Sequence, residues 1–430
     1  MGWDVTLVAI VLIAFATVSG RLHGSAITPA IVFVGAGLLF GTEGLDLIGA
    51  ELDTGTVRSL AELTLALVLF TDASALHTRA LRREAGIPAR LLGIGLPLTV
   101  VIGALIALGM FPRLGVFEAI VLAVLLAPTD AALGQTVVSD ERLPSRLRQG
   151  LNIESGLNDG VCVPLLFAAV AFAELDEAPN FDGEILVDLV KEVGIALGVG
   201  ALAAAAVACV LTISSRRGWL EEQWGQIIPL ATVGIAYTAT VELGGSGFIG
   251  AFVAGLLYRQ FLGASTAHGT TRLMEEVGGL LGAVTFFVFG AVVVGRSITD
   301  LDLSTVVYAV LSLTVVRMVP VALSLIGSGA AAQTMAFAGW FGPRGLATIV
   351  FMLTVVEESN LVGSSRIVQV ATATVLLSVV AHGVSAPWLT DRYVRWFRTS
   401  RERLVLESQD ASDLVGPMKR SLWHHGARER

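Results

Sequence analysis

Apolar runs about as long as a membrane-crossing helix recur from one end of the chain to the other, with short polar stretches between them. Thirteen can be drawn: 5–20, 25–41, 57–76, 87–110, 116–138, 148–173, 185–213, 225–242, 246–262, 275–295, 304–327, 335–356 and 365–390. Two are interrupted. The fifth, AIVLAVLLAPTDAALGQTVV, holds Pro128, Thr129 and Asp130 at its middle. The twelfth, MAFAGWFGPRGLATIVFMLTV, holds Gly339, Gly342, Pro343, Arg344 and Gly345. Proline removes a backbone donor and clashes with the preceding turn, so each helix is expected to break there. Irregular backbone at membrane depth is tolerated only where it is buried in protein or lines a cavity. The pattern predicts an all-α polytopic membrane protein of about thirteen helices. The two broken helices match in position if runs one to six and eight to thirteen are inverted repeats around the seventh, and such a pair marks a transporter site. In a crossing of this kind Asp130 can neutralise positive half-helix ends, and Arg344 negative ones.

The sixth run opens with RQGLNIESGLNDGVCVP, and its polar positions are the densest in any apolar run. Ser155 and Asp159 stand at i, i+4 on one helix face, and Glu154 and Asn158 do the same on the adjacent face. A carboxylate at bilayer depth is costly unless it meets water, an ion or a partner. The first face offers a hydroxyl and a carboxylate oxygen, hard ligands for a small monovalent cation or a proton. The second can hold the helix against its neighbours. The backbone carbonyl of Thr129, freed by the break, is a further oxygen donor. Asp72, near the inner end of the third run, and Arg317, inside the eleventh, complete the set of charges at depth. Arg317 needs a counter-charge, and Glu154 is the natural candidate. His77, His268 and His382 are read as packed or interfacial histidines rather than pH sensors.

Composition agrees with the pattern: 54% of residues are hydrophobic and 15% charged, against about 25% charged in soluble domains. Mean hydropathy is +0.77. No Walker loop, dinucleotide fingerprint or HExxH occurs, which argues against ATP-driven transport and a zinc protease. Cys162 and Cys209 fall in apolar runs and are expected to be buried free thiols. No cleaved signal peptide is apparent, since no basic residue precedes the first run and Arg21 follows it, which favours an outside N-terminus. With thirteen crossings, Arg21, Arg79, Arg82, Arg83, Arg90, Arg142, Arg146, Arg148, Arg216, Arg217, Arg259 and Arg272 fall inside, with the basic start of the segment 391–430. Only Arg58, Arg113, Lys191, Arg296 and Arg366 fall outside, as the positive-inside rule asks. The outer loops are acidic instead, with Glu43, Asp46, Glu51 and Asp53 in one and Glu174, Asp176, Glu177, Asp182 and Glu184 in another. Residues 1–390 are thus expected to form the membrane domain and 391–430 a cytoplasmic tail.

These residues resemble a known family. APTD in run five, ESGLNDG in run six, SGFIGAFVAGL in run nine, the mid-span arginine of run eleven and GPRGLA in run twelve are similar to sodium/proton antiporters of the cation:proton antiporter superfamily. The adjacent Asn158–Asp159 pair resembles its electroneutral, NhaP-like branch. The resemblance implies two inverted six-helix repeats, a core domain around spans 3–6 and 10–13 moving against a dimerisation domain, and a homodimer in the cell membrane. It implies that Asp159 binds the ion and the proton, with Ser155, the Thr129 carbonyl and Asp72 as the other Na+ ligands. Asn158 becomes a structural amide, Glu154 and Arg317 an ion pair holding the core, and Asp130 and Arg344 the charges at the crossing. The chain departs from the family in having Ala131 after the span-five aspartate, where proline is frequent, and Asp72 where glutamate is frequent.

The function expected is secondary exchange of Na+ or Li+ for H+ by alternating access, with no cofactor and no enzymatic reaction. Asn158 cannot titrate, so one carboxylate carries one charge either way and exchange should be electroneutral. A K+/H+ antiporter on the same site is the nearest alternative, since the oxygen ligands suit either ion. A cation channel would need a continuous pore, and an intramembrane aspartyl hydrolase would use Asp72 with Asp159.

Overall fold

The computed structural model describes residues 3–22, 24–48, 54–75, 86–130, 133–176, 184–262, 264–298, 301–358 and 361–399. His77, Arg79, Arg82, Arg83, Ala131, Glu51, Asp53, Glu177, Asp182, the side chain of His268 and the tail beyond residue 399 lie outside these. All regular structure among the described residues is helical. The first four helices are α1 (Trp3–Leu22), α2 (Pro29–Phe40), α3 (Thr54–Ala75) and α4 (Gly86–Met110), the last with a π-helical turn at Leu91–Gly95. The fifth run is split into α5 (Val116–Leu125) and the single turn α6 (Gln135–Val138). Then come α7 (Ser145–Asp176), α8 (Glu184–Arg216), α9 (Ile228–Glu242) and α10 (Gly247–Leu262). α11 (Ala264–Val288) continues through a π-helical turn at Phe289–Val294. The eleventh run divides at Thr314 into α12 (Leu303–Leu313) and α13 (Val315–Ser324). The twelfth is split into α14 (Ala332–Trp340) and α15 (Leu346–Glu358), and α16 (Ser364–Thr399) follows. Seven of the described helical stretches are long and apolar enough to cross a membrane unaided. The chain is an all-α, multi-pass membrane protein.

Both breaks fall where proline and glycine interrupt the apolar runs. Between α5 and α6, residues 127–130 have no regular structure, and between α14 and α15 neither do 341–345. Two expectations are modified. Cys162 is buried, but Cys209 is exposed on the outer face of α8, because an apolar helix in a membrane need not turn its apolar residues inward. α16 runs through the expected boundary at residue 390 as far as Thr399, with Tyr393 and Val394 packed inward on Phe337 and Phe341.

The helices pack in two groups. α4, α5, α7 and α12–α16 form one, in which α5 lies between α4 and α7 and α16 packs on α12 and α15. α2, α3, α8, α9, α10 and α11 form the other. Spans three and ten, expected in the core group, pack chiefly in this second one. The reason is the absence of a side chain at the contacts. A Cβ on Gly255 of α10 would strike the backbone of Phe70 in α3, and one on Gly37 of α2 would strike Phe287 in α11. Such small-residue contacts let membrane helices meet backbone to backbone. α3 still reaches the first group through α7 and α15, so it lines the seam.

Within the first group, α7 is tied to α13 by charge. Arg317 Nη1 and Nη2 donate to the two carboxylate oxygens of Glu154 at 2.5 and 2.8 Å, and both residues are buried. The paired geometry was expected of these two residues. At the outer edge, Asp302 caps α12 by accepting from Thr305 N at 2.7 Å, and Arg366 of α16 donates to it at 2.9 Å. Hydrogen bonds from Thr305, then Ser304 and Arg366, hold the Asp302 carboxyl well below the usual carboxylate range.

Two outcomes are expected. Removing one partner of a buried ion pair strands the other charge and costs about 3–5 kcal/mol. Glu154→Gln or Arg317→Ala should therefore lower the thermal unfolding midpoint in detergent more than it weakens cation binding; an unchanged midpoint with lost binding would make Glu154 a ligand instead. Asp302→Ala should cost about 1 kcal/mol, as for a lost helix cap. Because the folded-state pKa is depressed, this stabilisation is present above the ordinary carboxylate range and is lost as pH falls through the folded value. Melting curves of wild type and Asp302→Ala should therefore converge towards acid pH; a constant gap would argue against it.

Candidate cation and proton site at the crossing of two broken helices

The breaks lie against each other and cap each other. A half-helix ending inside the membrane leaves carbonyls without partners, and one beginning there leaves N–H groups. Arg344, fully buried, donates from Nη1 to the carbonyls of Ala127 at 2.8 Å and Pro128 at 3.0 Å, just past the C-terminus of α5. Thr348 Oγ1 donates to Leu125 O at 3.2 Å. In return, Asp130 Oδ2 accepts from Leu346 N, the first residue of α15, at 2.8 Å, and its Oδ1 accepts from Leu133 N at 3.2 Å. The main chains also join directly, Asp130 N donating to Pro343 O at 2.8 Å. Each charge sits on the half-helix end of opposite sign, as expected for Asp130 and Arg344.

The sequence GPRG is used residue by residue. A Cβ at Gly342 would occupy the position of the Arg317 guanidinium, and one at Gly345 would collide with the Asp130 carboxylate. Any side chain at either position would displace one of the charges that hold the crossing.

The polar face of α7 docks onto this crossing through Thr129. Ser155 Oγ donates to the Thr129 carbonyl, and Asn158 Nδ2 donates to the Thr129 hydroxyl at 2.7 Å. One residue at the break thus reads both polar faces of α7. Its carbonyl was expected at the site; its hydroxyl, as the partner of Asn158, was not. Asp159 is buried, and its Oδ1 has no hydrogen-bond partner among the described residues. Buried carboxylate oxygens ordinarily have one.

Asp72 comes from the other helix group. Its Cβ lies 3.2 Å from where a Cβ on Gly156 would stand, between Ser155 and Asp159 in sequence, so its side chain rests on α7 beside them. Arg259 of α10 donates to Ser74 O at 3.0 Å and so caps α3 just beyond Asp72. Phe252 of α10 closes over the adjoining surface, where a Cβ on Gly160 would enter its ring. The set Asp159, Ser155, Thr129 and Asp72 is therefore assembled from three stretches of chain, with Glu154, Asn158, Arg317, Asp130 and Arg344 around it. Sequence reasoning missed Gly156, Gly160 and Phe252. The two glycines were legible within ESGLNDG only as small residues, with nothing to say what leaned on them.

Among the described residues, no group of three or more His, Cys, Asp or Glu could hold a metal ion in the manner of a resident cofactor. The donors here are a carboxylate pair, a hydroxyl and a carbonyl. These are hard oxygen donors.

Comparison with known proteins bears on the family and the fold. The K(+)/H(+) antiporter NhaP2 of Shewanella sp. (strain ANA-3) is 24% identical over 383 residues, which are 88% of this chain and 64% of that protein. The Na(+)/H(+) antiporter ApNhaP of Aphanothece halophytica is 26% identical over 378 residues, 83% of this chain and 68% of that one. The chain thus spans less than two thirds of the length of the NhaP2 relatives it matches. The structure of the sodium proton antiporter MjNhaP1 from Methanocaldococcus jannaschii superposes with a TM-score of 0.73 at 18% identity, covering 88% of this chain and 98% of that one, which is a likeness of fold. The family described as sodium/hydrogen exchanger, transmembrane, matches residues 7–392, and the chain belongs to it.

Proposed function

We propose that the chain is a secondary transporter, not an enzyme, which exchanges a monovalent cation for a proton by alternating access. The observation that carries this reading is Asp159: a buried carboxylate with an unpartnered oxygen, on the helix that docks two broken spans, beside Ser155, Thr129 and Asp72. A carboxylate out of water is stabilised by a proton or by a cation, and one oxygen site does not hold both. Loaded states cross; an empty charged site meets a dry barrier. Exchange then needs no ATP and no cofactor. Na+ or Li+ is the proposed cargo. K+ is the alternative, favoured by the similarity to proteins named K(+)/H(+) antiporters.

The moving body in this reading is the group of α4, α5, α7 and α12–α16, which carries Asp159, Ser155 and Thr129. α3 and α11 go with the other group, which would form the homodimer contact and contributes Asp72 from across the seam. Thirteen crossings in two inverted repeats, an outside N-terminus, a cytoplasmic tail and residence in the cell membrane complete the proposal; the basic residues of alternate loops support that orientation.

Asp159→Asn should abolish cation-driven proton flux in liposomes loaded with a pH dye, while the protein still elutes as a folded species. The assay, run with Na+, Li+ and K+ in turn, also ranks the ions; retained flux in the variant would sink the assignment. Exchange should also be insensitive to membrane voltage. The proton-loaded site and the cation-loaded site carry equal charge, because Asn158 is an amide engaged with Thr129 and only one carboxylate changes partner. That holds while Asp72 keeps one protonation state, since neighbouring carboxylates can share a proton. Recordings on solid-supported membranes should give no sustained current under a cation gradient, and a sustained current would mean that Asp72 titrates as well.

A further inference from the structure

His382 of α16 is buried, and the cation site uses none of its atoms. Its ring spans the break between α14 and α15. Nε2 stands 2.8 Å from the carbonyl of Trp340, the last residue of α14. Nδ1 stands 3.2 Å from the hydroxyl and 2.9 Å from the carbonyl of Ser378, one turn earlier on the same helix. The Ser378 hydroxyl in turn accepts from Arg344 N, on the far side of the break, at 2.7 Å. Trp340 is held a second time: its indole Nε1 donates to Ser385 Oγ at 2.9 Å, and its ring lies over the His382 ring with centroids 5.2 Å apart.

With the ring hydrogen on Nε2, His382 donates to Trp340 O and accepts at Nδ1 from the Ser378 hydroxyl, which accepts from Arg344 N. In this tautomer Nδ1 also faces Ser378 O at 2.9 Å, while Trp340 O, the Ser378 hydroxyl and Arg344 N each have a partner. The two ends of the break are thereby pinned to one turn of α16. On the far side of the break Arg344 is pinned through its N–H alone, and its side chain continues the line to Ala127 O and Pro128 O, and so to the backbone that presents Thr129.

We propose that His382 and Ser378 are positioning residues for ion exchange, which set the place of Arg344 and, through the span-five break, of the Thr129 oxygens at the cation site. The inference rests on the antiport reading above. A chain of this length acts on geometry: a misplacement of about 1 Å far from the chemistry can cost on the order of a hundredfold. A loss of packing alone would lower the amount of folded protein without moving the affinity of what remains.

The test is cation-driven proton flux by reconstituted full-length protein with Na+, Li+ and K+, with KM for the cation that wild type transports best and kcat read separately, in wild type, H382A, H382Q and S378A. H382A and S378A should each raise KM by about tenfold, with a smaller change in kcat. Gln places an N–H donor at about the reach of Nε2 but no acceptor in place of Nδ1, so H382Q keeps the bond to Trp340 O and should raise KM less than H382A, to within about threefold of wild type. H382A or S378A at the wild-type KM would overturn the proposal, and so would H382Q as impaired as H382A. Should H382A not fold, S378A and H382Q decide by the same values. Wild type inactive with every cation would defeat the antiport reading itself; an active wild type with an unmoved S378A defeats only this one.

Discussion

Two helices that stop inside a membrane create a debt of unpaired backbone groups, and this structure settles it by making each break the cap of the other. Arg344 answers the carbonyls past α5 and Asp130 answers the first N–H of α15. Neither charge is stable there alone. Removing one leaves both a stranded charge and bare half-helix ends, in a place where water cannot stand in. The arrangement is thus self-consistent only as a whole, and Thr129, Ser155, Asn158, Glu154 and Arg317 are arranged around it. Gly342 and Gly345 are small because Arg317 and Asp130 occupy the space of their side chains.

The same constraint explains why the oxygen donors of the candidate site lie where they do. Thr129 is at the break, so its carbonyl has no helical partner and is free to turn to Ser155. Its hydroxyl takes Asn158. α7 is held from its other face by the Glu154–Arg317 pair, which aims Asp159 into the crossing without using it. The protein thus separates two duties among adjacent carboxylates of one helix: Glu154 is committed to a guanidinium with both oxygens, and Asp159 retains one with no partner.

Much of this was legible in the sequence, and for physical reasons. Charges and prolines are so costly at membrane depth that APTD, ESGLNDG and GPRG stand out from their apolar surroundings without any comparison. The pairing of Glu154 with Arg317, and the opposed duties of Asp130 and Arg344, follow from charge and half-helix polarity alone. What could not be read were contacts made by residues with ordinary signals. Ser378 and His382 sit at i, i+4 on a long helix and look like packed polar residues until α14 is seen to end on one and Arg344 on the other. The allegiance of α3 and α11 was hidden for a related reason. It is decided by glycines that admit a neighbouring backbone, and a glycine in an apolar run does not say which neighbour it admits. Cys209 illustrates the converse: in a chain solvated by lipid, an apolar or weakly polar residue carries little information about which way it faces.

The seam between the two helix groups passes through the site itself. Asp72 belongs to α3, and Asp159, Ser155 and Thr129 to the group that the breaks hold together. On the first group's side of that seam, the residues met by Asp72 and Phe252 are Gly156 and Gly160, so α7 offers no side chain there. Asp72 therefore lies across the seam from Asp159, Ser155 and Thr129, where the facing positions of α7 are glycines. On the proposed antiport reading, a shift of the two groups would part Asp72 from Asp159, Ser155 and Thr129 and so release a cation bound between them, while the crossing that holds the last three stays intact.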